Sequence, residues 1–418
     1  MSRAAYILNG ARTPYAKAGT DFKDVPATDL GRIAAVEAMA RARVEPEEID
    51  QAIFGNIATP VDAANIGRVI ALRAGIPKER PAHSVSRNCA SGIESIVQAA
   101  RLIQTGEADV VLAGGVENMS LIPFLYPERV KAVLTQAGMA RSLPDRVMAF
   151  SRMPWPELLD PVIGIKQGLT DPVCDLNMGE TAEILAKEGK LTREEQDRFA
   201  LRSHQRATLG RDRLAQEIVP VPIPPAFDKL SLQDNGVREN QTMEALAKLK
   251  PFFDRKYGTV TAGNSSQITD GAAAVVVASD AFVERRKLPV LGRVEGWGFA
   301  GLEPERMGLG PSRSTPVALK HARRKLSDIG LVEMNEAFAA QVLANLAAFE
   351  RDPQLGPLDP DVLNVNGGAI ALGHPVGSSG TRLVLTLLYE MKRRKVAHGL
   401  ATLCIGGGQG ATIVLEAA

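Results

Sequence analysis

The chain has 418 residues, 45% of them hydrophobic, so it is long enough to bury two or three cores. Its 49 basic and 48 acidic residues leave a net charge of +1, which excludes a strongly basic nucleic-acid binder and gives no attraction to an acidic membrane surface. Three cysteines, and no run of about 18 apolar residues, predict a protein of the reducing cytoplasm without a disulfide framework or a membrane span.

The first predicted elements alternate between strands and helices. Residues 5–8 are strand-like directly after the N-terminus, which predicts no cleaved leader. The spacing of apolar residues then predicts a helix over 27–42, a strand over 49–55, a helix over 93–104 and a strand over 109–113. This alternation is typical of the α/β class.

A weak internal repeat follows from the next elements. Ser91-Gly92 opens a predicted helix, and the buried strand after it ends at Gly114-Gly115. Near the C-terminus Ser379-Gly380 opens a second helix, and the strand at 399–403 leads through Cys404 into three glycines at 406–408. The repeat predicts two similar halves that donate loops to one shared site, where glycine lets the backbone approach a ligand.

The segment between the halves, residues 120–261, is rich in proline and in scattered basic residues. We expect a loop-rich lid or binding region there. Within it, residues 193–216 predict a charged helix with a solvated face. Residues 123–160 interleave apolar and basic residues at near-helical spacing, which predicts an amphipathic element. Such an element would pack on its own domain, lie on a membrane, line an acyl groove or contact a partner.

Cys89 is the first candidate for chemistry, in Asn88-Cys89-Ala90-Ser91-Gly92. A helix N-terminus among small residues would favour a thiolate and admit a substrate carbonyl. An arbitrary cysteine is more often an unreactive small hydrophobe. Other clusters therefore decide between the two interpretations.

His374 lies in a glycine-rich loop that runs from Gly367 to Gly380. An imidazole there could reach a reacting group. The remaining histidines occur in polar helical or turn contexts and are predicted at the surface: His83, His204, His321 and His398.

A second thiol, Cys404, precedes Gly406 and its neighbouring glycines, whose N–H groups could bind an oxyanion. Asn335 offers a polar side chain at the start of a helix. The spacing of Cys89, His374 and Cys404 lacks the short pairs typical of zinc sites, so we expect no metal. The set instead supplies what acyl transfer needs: a thiolate, a base, an oxyanion site and an acid for a carbanion.

Three motifs, 88–92, 367–380 and 404–408, make the chain resemble the thiolase family, acetyl-CoA acyltransferases, over essentially its whole length. The resemblance implies two similar βαβαβαββ-type halves in a layered α/β/α/β/α core plus an inserted loop domain. It places the N-terminal half at 1–119, completed by about 269–288, the loop domain for coenzyme A and acyl binding at 120–268, and the C-terminal half at 289–418.

The resemblance also implies roles for single residues. Cys89 would be the acylated nucleophile, His374 its base, and Cys404 the proton shuttle at the acetyl carbon. Asn335 would hold a water that forms one oxyanion hole with His374, and the N–H groups of Cys89 and Gly406 would form the other. The implied coenzyme A contacts are Leu169, Met178, Arg238, Phe253, Ala262, Ser266 and Phe338.

Two features depart from a simple match. Asn177 stands where many acetoacetyl-CoA thiolases have histidine, and about two dozen extra residues lie between Glu117 and Leu169 relative to short biosynthetic forms. The insert is similar to the β subunit of trifunctional fatty-acid oxidation complexes, although those usually carry histidine where Asn335 stands.

The resemblance implies thiolytic cleavage of 3-ketoacyl-CoA in fatty-acid β-oxidation, with coenzyme A as substrate and no permanently bound cofactor. The alternatives are a biosynthetic acetoacetyl-CoA thiolase, a decarboxylating ketoacyl synthase and a non-catalytic thiolase-like lipid-binding protein. The expected partners are acyl-CoA, further copies in a homodimer or tetramer, and optionally a hydratase-dehydrogenase α subunit, with no nucleic acid and peripheral membrane association left open.

Overall fold

The structure, a computed structural model, describes residues 3–418. Its strands are β1 (Ala5–Arg12), β2 (Ala16–Lys17), β3 (Gln51–Gly55), β4 (Ala82–Val85), β5 (Val110–Glu117), β6 (Phe124–Leu125), β7 (Val162–Ile163), β8 (Val221–Pro222), β9 (Leu230–Ser231), β10 (Thr269–Ser279), β11 (Gly292–Gly301), β12 (Leu331–Met334), β13 (His398–Ile405) and β14 (Gln409–Ala417).

The helices begin in the first half and continue through the loop domain into the second half. They are α1 (Ala27–Ala42), α2 (Ile66–Arg73), α3 (Ser91–Thr105), α4 (Glu128–Met139), α5 (Leu143–Ser151), α6 (Trp155–Leu159), α7 (Gly164–Gly168), α8 (Met178–Glu188), α9 (Arg193–Leu209), α10 (Arg211–Ala215), α11 (Met243–Ala247), α12 (Asp280–Arg286), α13 (Gly310–Ala322), α14 (Ala339–Arg351), α15 (Ala369–Leu372) and α16 (Val376–Arg394). No helix in the described part of the chain is long and apolar enough to cross a bilayer.

One large sheet runs through both halves in the order β12-β13-β14-β11-β1-β10-β5-β3-β4, with β2 added beside β10. A short antiparallel pairing of β1 with β11 joins the halves. Outward from this junction each half has an antiparallel pair and then parallel strands, β3 beside β5 in one half and β12 beside β13 in the other. The four strands that the halves share therefore have the same order, and the first half adds β4 beside β3.

Both faces of the sheet are covered, which explains why its strands are almost continuously apolar. In β10, Val275 and Val277 face a central core that contains α3 and α16, whereas Val276 faces an outer core under α1 and α2. A third core lies beneath α13 and α14. The predicted α/β/α/β/α layering is confirmed.

The repeat extends to helix ends. Helices α1 and α13 both end at a left-handed arginine, Arg43 and Arg323, each with a φ of 56°. A 3-10 turn with a capping box follows each of them, at Pro46–Glu48 and at Leu326–Asp328. Such matching of a sparsely populated backbone conformation supports two similar halves.

Two predicted boundaries are wrong. Helix α16 begins at Val376, so Ser379-Gly380 lies inside its first turns; Pro375 precedes it and, lacking an N–H, suits a helix start. The strand predicted to end at Gly114-Gly115 continues to Glu117, because β10 keeps pairing with it along that length.

The loop domain contains the predicted charged helix, which the structure divides at Gly210 into α9 and α10. The prediction that His204 is a surface residue is wrong, since it is 2% exposed. Its Nδ1 accepts a hydrogen bond from the backbone N–H of Arg238 at 3.1 Å. This contact ties α9 to the loop around Arg238.

The insert at 123–160 forms α4, α5 and α6. Val130, Val133 and Met153 bury one another in a small cluster, so part of the amphipathic pattern packs within its own domain. Other large apolar side chains of the segment are exposed, at 61% for Val147 and 57% for Trp155. The segment therefore has both packed and exposed apolar side chains.

Arg12 fastens the loop domain to the sheet. It is fully buried and its guanidinium donates to Glu217 at 2.6 Å and to both carboxylate oxygens of Asp234 at 2.6 and 2.9 Å. We expect Arg12→Met to lower the free energy of unfolding by about 3–5 kcal/mol, because two buried carboxylates lose their cation. Urea denaturation measures the change.

The control is Arg32→Met on α1, where the ion pair with Asp29 is loose and exposed. It should change stability by less than about 0.5 kcal/mol. Equal losses in both variants would contradict a special role for the buried network.

Candidate active site

Cys89 lies in a tight turn between β4 and α3. Asn88 has a φ of 44°, and its Nδ2 donates to the carbonyl of Gly406 at 2.7 Å. Ser91 Oγ closes the turn, since it accepts from the N–H of Arg87 at 2.8 Å and donates to the carbonyl of Asn88 at 2.7 Å. The turn thus fixes Cys89 beside the glycine loop of the other half.

The surroundings of the Cys89 thiol combine burial with directed N–H groups. Burial raises its pKa, while the backbone N–H groups of Gly406 and of Cys89 itself point at the sulfur and oppose that rise. Burial is the largest of these effects, and α3 begins only at Ser91, so both features oppose the predicted thiolate.

His374 is held by Ser379, five residues further along. Ser379 Oγ lies 2.5 Å from Nδ1 and donates to the carbonyl of Pro375 at 3.1 Å, so it accepts the hydrogen bond from Nδ1–H. This tautomer makes Nε2 an acceptor, and Nδ2 of Asn335 donates to it at 3.4 Å. Burial, with the nearby Arg382 cation as a second cause, lowers the pKa of His374 to about 4. His374 is therefore a neutral base at pH 7.

The second thiol is fully buried at the end of β13. Burial raises the pKa of Cys404, and the neighbouring Cys89 raises it further. Cys404 packs against Phe338 in one apolar cluster. A neutral thiol in such surroundings donates a proton only to a strong base, as a carbanion is.

Glycines allow the two halves to meet at this site. A side chain at Gly92 would lie 2.5 Å from the N atom of Thr381, and one at Gly380 would lie 2.5 Å from the N atom of Ile93. The N-terminal turns of α3 and α16 therefore approach more closely than alanine would permit. This contact brings the Cys89 turn and the His374 loop together.

Glu117 also joins the halves, and the sequence reasoning missed it. Its buried carboxylate accepts from Nδ2 of Asn56 and from the N–H groups of Ile57, Ala58 and Gly377, at 2.9 to 3.2 Å. Burial raises its pKa to about 7 against these hydrogen bonds. A charged residue ending an otherwise apolar strand was the signal that could have identified it.

Several predicted coenzyme A contacts gather beside Cys404. Met178 and Phe253 pack on the apolar cluster that contains Cys404 and Phe338. The rings of Phe253 and Phe338 meet edge to face at 6.1 Å. The carbonyl of Leu169 accepts a hydrogen bond from the N–H of Met178 at 2.9 Å, so Leu169 adjoins this cluster.

The remaining predicted contacts lie further out. Ser266 is half-buried, next to Gln267, whose carbonyl accepts from the N–H of His374 at 3.2 Å. Arg238 and Ala262 are exposed. These two predicted contacts are therefore open to solvent.

One group could hold a metal ion in the described part of the chain: Glu295, His398 and Glu416. It lies at the end of β13 opposite to Cys404. Arg324 pairs with Glu295 at 2.8 Å and Arg293 with Glu416 at 2.5 Å, so arginines already neutralise both carboxylates. The group takes no part in the site around Cys89.

Gly115 provides a test of this close packing. A Cβ there would lie 1.9 Å from the carbonyl oxygen of Gly377, at the start of α16. We expect Gly115→Ala to push the His374 loop away from Cys89 and to lower kcat about 100-fold, the usual cost of displacing a catalytic group by about 1 Å. Steady-state kinetics measure it.

The matched control is Gly138→Ala in α4, where nothing lies within 4 Å of the added atom. This variant should keep wild-type kcat. A Gly115→Ala enzyme that is folded and fully active would contradict the packing argument.

A cysteine faced by two backbone N–H groups, a neutral imidazole and a second buried thiol defines an acyltransferase site in a duplicated α/β fold. The family model described as "Thiolase, N-terminal domain" matches residues 5–281, and "Thiolase, C-terminal domain" matches residues 288–417. The chain belongs to the thiolase family.

Named relatives agree with this. The chain is 39% identical to a 3-ketoacyl-CoA thiolase of Serratia proteamaculans and 40% identical to one of Yersinia pestis; each match covers 98% of this chain and 96% of the relative.

Solved structures are similar over the whole chain. Human mitochondrial 3-ketoacyl-CoA thiolase in complex with CoA matches with a TM-score of 0.87 and 37% identity, covering 100% of this chain and 98% of that one. The Bacillus anthracis acetyl-CoA acetyltransferase matches with a TM-score of 0.89 and 36% identity, covering 100% and 99%.

Proposed function

We propose that the chain is a 3-ketoacyl-CoA thiolase, which cleaves its substrate with coenzyme A to give acetyl-CoA and a shortened acyl-CoA, in fatty-acid β-oxidation. The observation that carries the proposal is the meeting of the Cys89 thiol, facing the N–H of Gly406, with the second thiol Cys404. The 3-ketoacyl-CoA thiolases to which the chain is similar support the same activity.

In the first half-reaction Nε2 of His374 takes the proton of Cys89, and the sulfur attacks the 3-keto carbon. The N–H groups of Cys89 and Gly406, which already face the sulfur, are placed to stabilise the tetrahedral oxyanion. The bond between carbons 2 and 3 then breaks. The electron pair passes to carbon 2, which takes the proton of Cys404 and leaves as acetyl-CoA.

In the second half-reaction the thiol of coenzyme A gives its proton to the Cys404 thiolate and attacks the acyl group on Cys89. The carbonyl carbon passes to coenzyme A, and the Cys89 thiolate recovers its proton from His374. Both thiols and the imidazole end as they began. In this proposal Met178, Phe253 and Phe338 contact the pantetheine arm; their packing beside Cys404 supports it.

Two rival functions are less well supported. A decarboxylating ketoacyl synthase pairs its nucleophilic cysteine with two histidines. Here Cys89 is accompanied by one histidine, His374, and by a second cysteine, Cys404. A lipid-binding protein without activity has no use for the tautomer control that Ser379 exerts on His374. An acetyl-CoA exchange assay separates catalysis from lipid binding.

The preferred length of the acyl chain separates the remaining alternative, a biosynthetic acetoacetyl-CoA thiolase. The test is a thiolysis profile with 3-ketoacyl-CoA substrates of 4 to 16 carbons, chosen to span the range from acetoacetyl to long acyl groups. We expect kcat/KM to rise beyond the 4-carbon substrate. Activity confined to acetoacetyl-CoA would instead indicate the biosynthetic enzyme.

We also propose that exposed apolar side chains of the insert, Val147, Met148 and Trp155, contact a hydratase-dehydrogenase α subunit. Their exposure supports this, because exposed apolar patches mark contact surfaces. The triple variant with Val147→Asp, Met148→Gln and Trp155→Gln should lose co-purification with such a subunit and keep turnover of every chain length. If the triple variant still co-purifies with the subunit but turns over long-chain substrates more slowly, these side chains line an acyl groove instead.

A homodimer or tetramer in the cytoplasm completes the proposal. The three cysteines, all free, suit a reducing compartment. Light scattering measures the oligomeric state.

A further inference from the structure

A buried ion pair lies behind the proposed base. Arg382 of α16 donates through Nη1 to Oε2 of Glu333 in β12 at 3.0 Å, and the two side chains are 1% and 2% exposed. Nε and Nη2 of Arg382 are buried with no hydrogen-bond partner among the described residues. A buried pair of this kind often adds little stability relative to apolar side chains, so its presence calls for another explanation.

The pair closes a ring around His374. Glu333 precedes Asn335 by two residues, and Asn335 contacts Nε2 of His374 at 3.4 Å. Ser379 holds Nδ1 at 2.5 Å, and Arg382 follows Ser379 by one helical turn. The ion pair therefore joins the two elements that hold the imidazole from opposite sides.

We propose, building on the proposed function, that Arg382 and Glu333 are positioning residues that hold His374 in place and keep it in its neutral, proton-accepting form when the surroundings become acidic. Neither residue touches substrate. They act through the imidazole.

The charges of the ring support this role. Burial raises the pKa of Glu333 to about 8, although Arg382 opposes the rise. As pH falls through about 8, Glu333 therefore takes a proton first; at pH 7 and below Nη1 of Arg382 still donates to the neutral carboxyl, but Arg382 is left as an unbalanced cation. That cation disfavours a second positive charge on His374, whose pKa is about 4. The other titratable groups around the pair are Tyr15, Glu217, Glu336 and Glu390.

The test compares the wild type with R382M/E333M and E333Q. The double variant replaces both charges by apolar side chains of similar volume, which buried pairs tolerate. E333Q keeps the cation and copies the protonated form of Glu333. The readouts are the pH profile of kcat/KM for 3-ketoacyl-CoA cleavage and the pH dependence of Cys89 alkylation by iodoacetamide, followed by peptide mass spectrometry.

We expect the acid limb of both profiles to move up by about one pH unit in R382M/E333M, the effect of one nearby, partly screened charge. E333Q should keep the acid limb of the wild type. If the double variant does not fold, R382Q/E333Q removes the cation while its two amides can still hydrogen-bond. An unmoved acid limb in a cation-free variant, or an upward shift in E333Q, overturns the proposal.

Alkylation needs no substrate, so the two hypotheses fail separately. A wild-type enzyme that cleaves no 3-ketoacyl-CoA contradicts the proposed function. The alkylation profiles still decide the role of the ion pair.

Discussion

Replacing Cys89 with alanine should abolish thiolysis, with a loss in kcat of about 10⁴-fold or more. No other group can accept the acyl unit from carbon 3: Cys404 is fully buried, and burial raises the pKa of its thiol. The structure should tolerate the change, because Asn88 and Ser91 hold the turn through backbone and side-chain contacts that do not involve the sulfur. Coenzyme A release followed by thiol titration measures the loss.

Cys174→Ala is the matched control, since this free cysteine lies in the loop domain after α7, apart from the cluster around Cys404. It should keep full activity. A Cys89→Ala enzyme that still turns over, or a control that loses as much, would contradict the assignment of the nucleophile.

Cys404→Ser should separate the two half-reactions. A serine hydroxyl is a far weaker acid than a thiol, so protonation of the acetyl carbanion, and its reverse, should slow by about 10²–10⁴-fold, the range that proton transfer contributes to catalysis. Acylation of Cys89 by a simple acyl-CoA forms no carbanion. The rate of that step in the variant should remain within about fivefold of the wild-type rate, because only interactions made in the transition state of a step change its rate.

The separation is measured by two assays on one preparation: exchange of the acetyl methyl protons with deuterated water, and transfer of the acyl group from acyl-CoA to Cys89. We expect the first to fall and the second to persist. Equal loss of both in a folded enzyme would show that Cys404 is not the proton shuttle.

The architecture could be predicted from the sequence because short local patterns mark the equivalent helices and strands of the two halves. Ser91-Gly92 and Ser379-Gly380 mark equivalent helices, and the apolar runs of β5 and β13 mark buried strands. The boundary errors have the same origin: the pattern showed which helix follows His374, but Pro375 sets its first residue. Helix ends depend on such caps more than on periodicity.

The candidate site was predictable where its residues carry a recognisable chemistry in a glycine-rich context, as Cys89, His374 and Cys404 do. The groups that control them were not predicted. Glu117, Ser379 and Arg382 act through contacts across 5 to 260 positions of chain. Periodicity does not reveal such contacts.

The pKa shifts of the site residues could not be predicted from the sequence either. The position of Cys89 ahead of a helix suggested a stabilised thiolate, whereas burial, visible only in three dimensions, raises the pKa of its thiol. The same burial lowers the pKa of His374. Both shifts have the same cause, because burial disfavours the charged form of each group.

The central claim is that Cys89 carries the acyl group between the two half-reactions. Mixing the enzyme with a 3-ketoacyl-CoA in the absence of free coenzyme A, quenching in acid and mapping the modified peptide by mass spectrometry tests it directly. We predict the mass of the shortened acyl group on Cys89, with none on Cys174 or Cys404, and its disappearance when coenzyme A is added before quenching. Turnover by an enzyme that never gains acyl mass on Cys89 would contradict the mechanism.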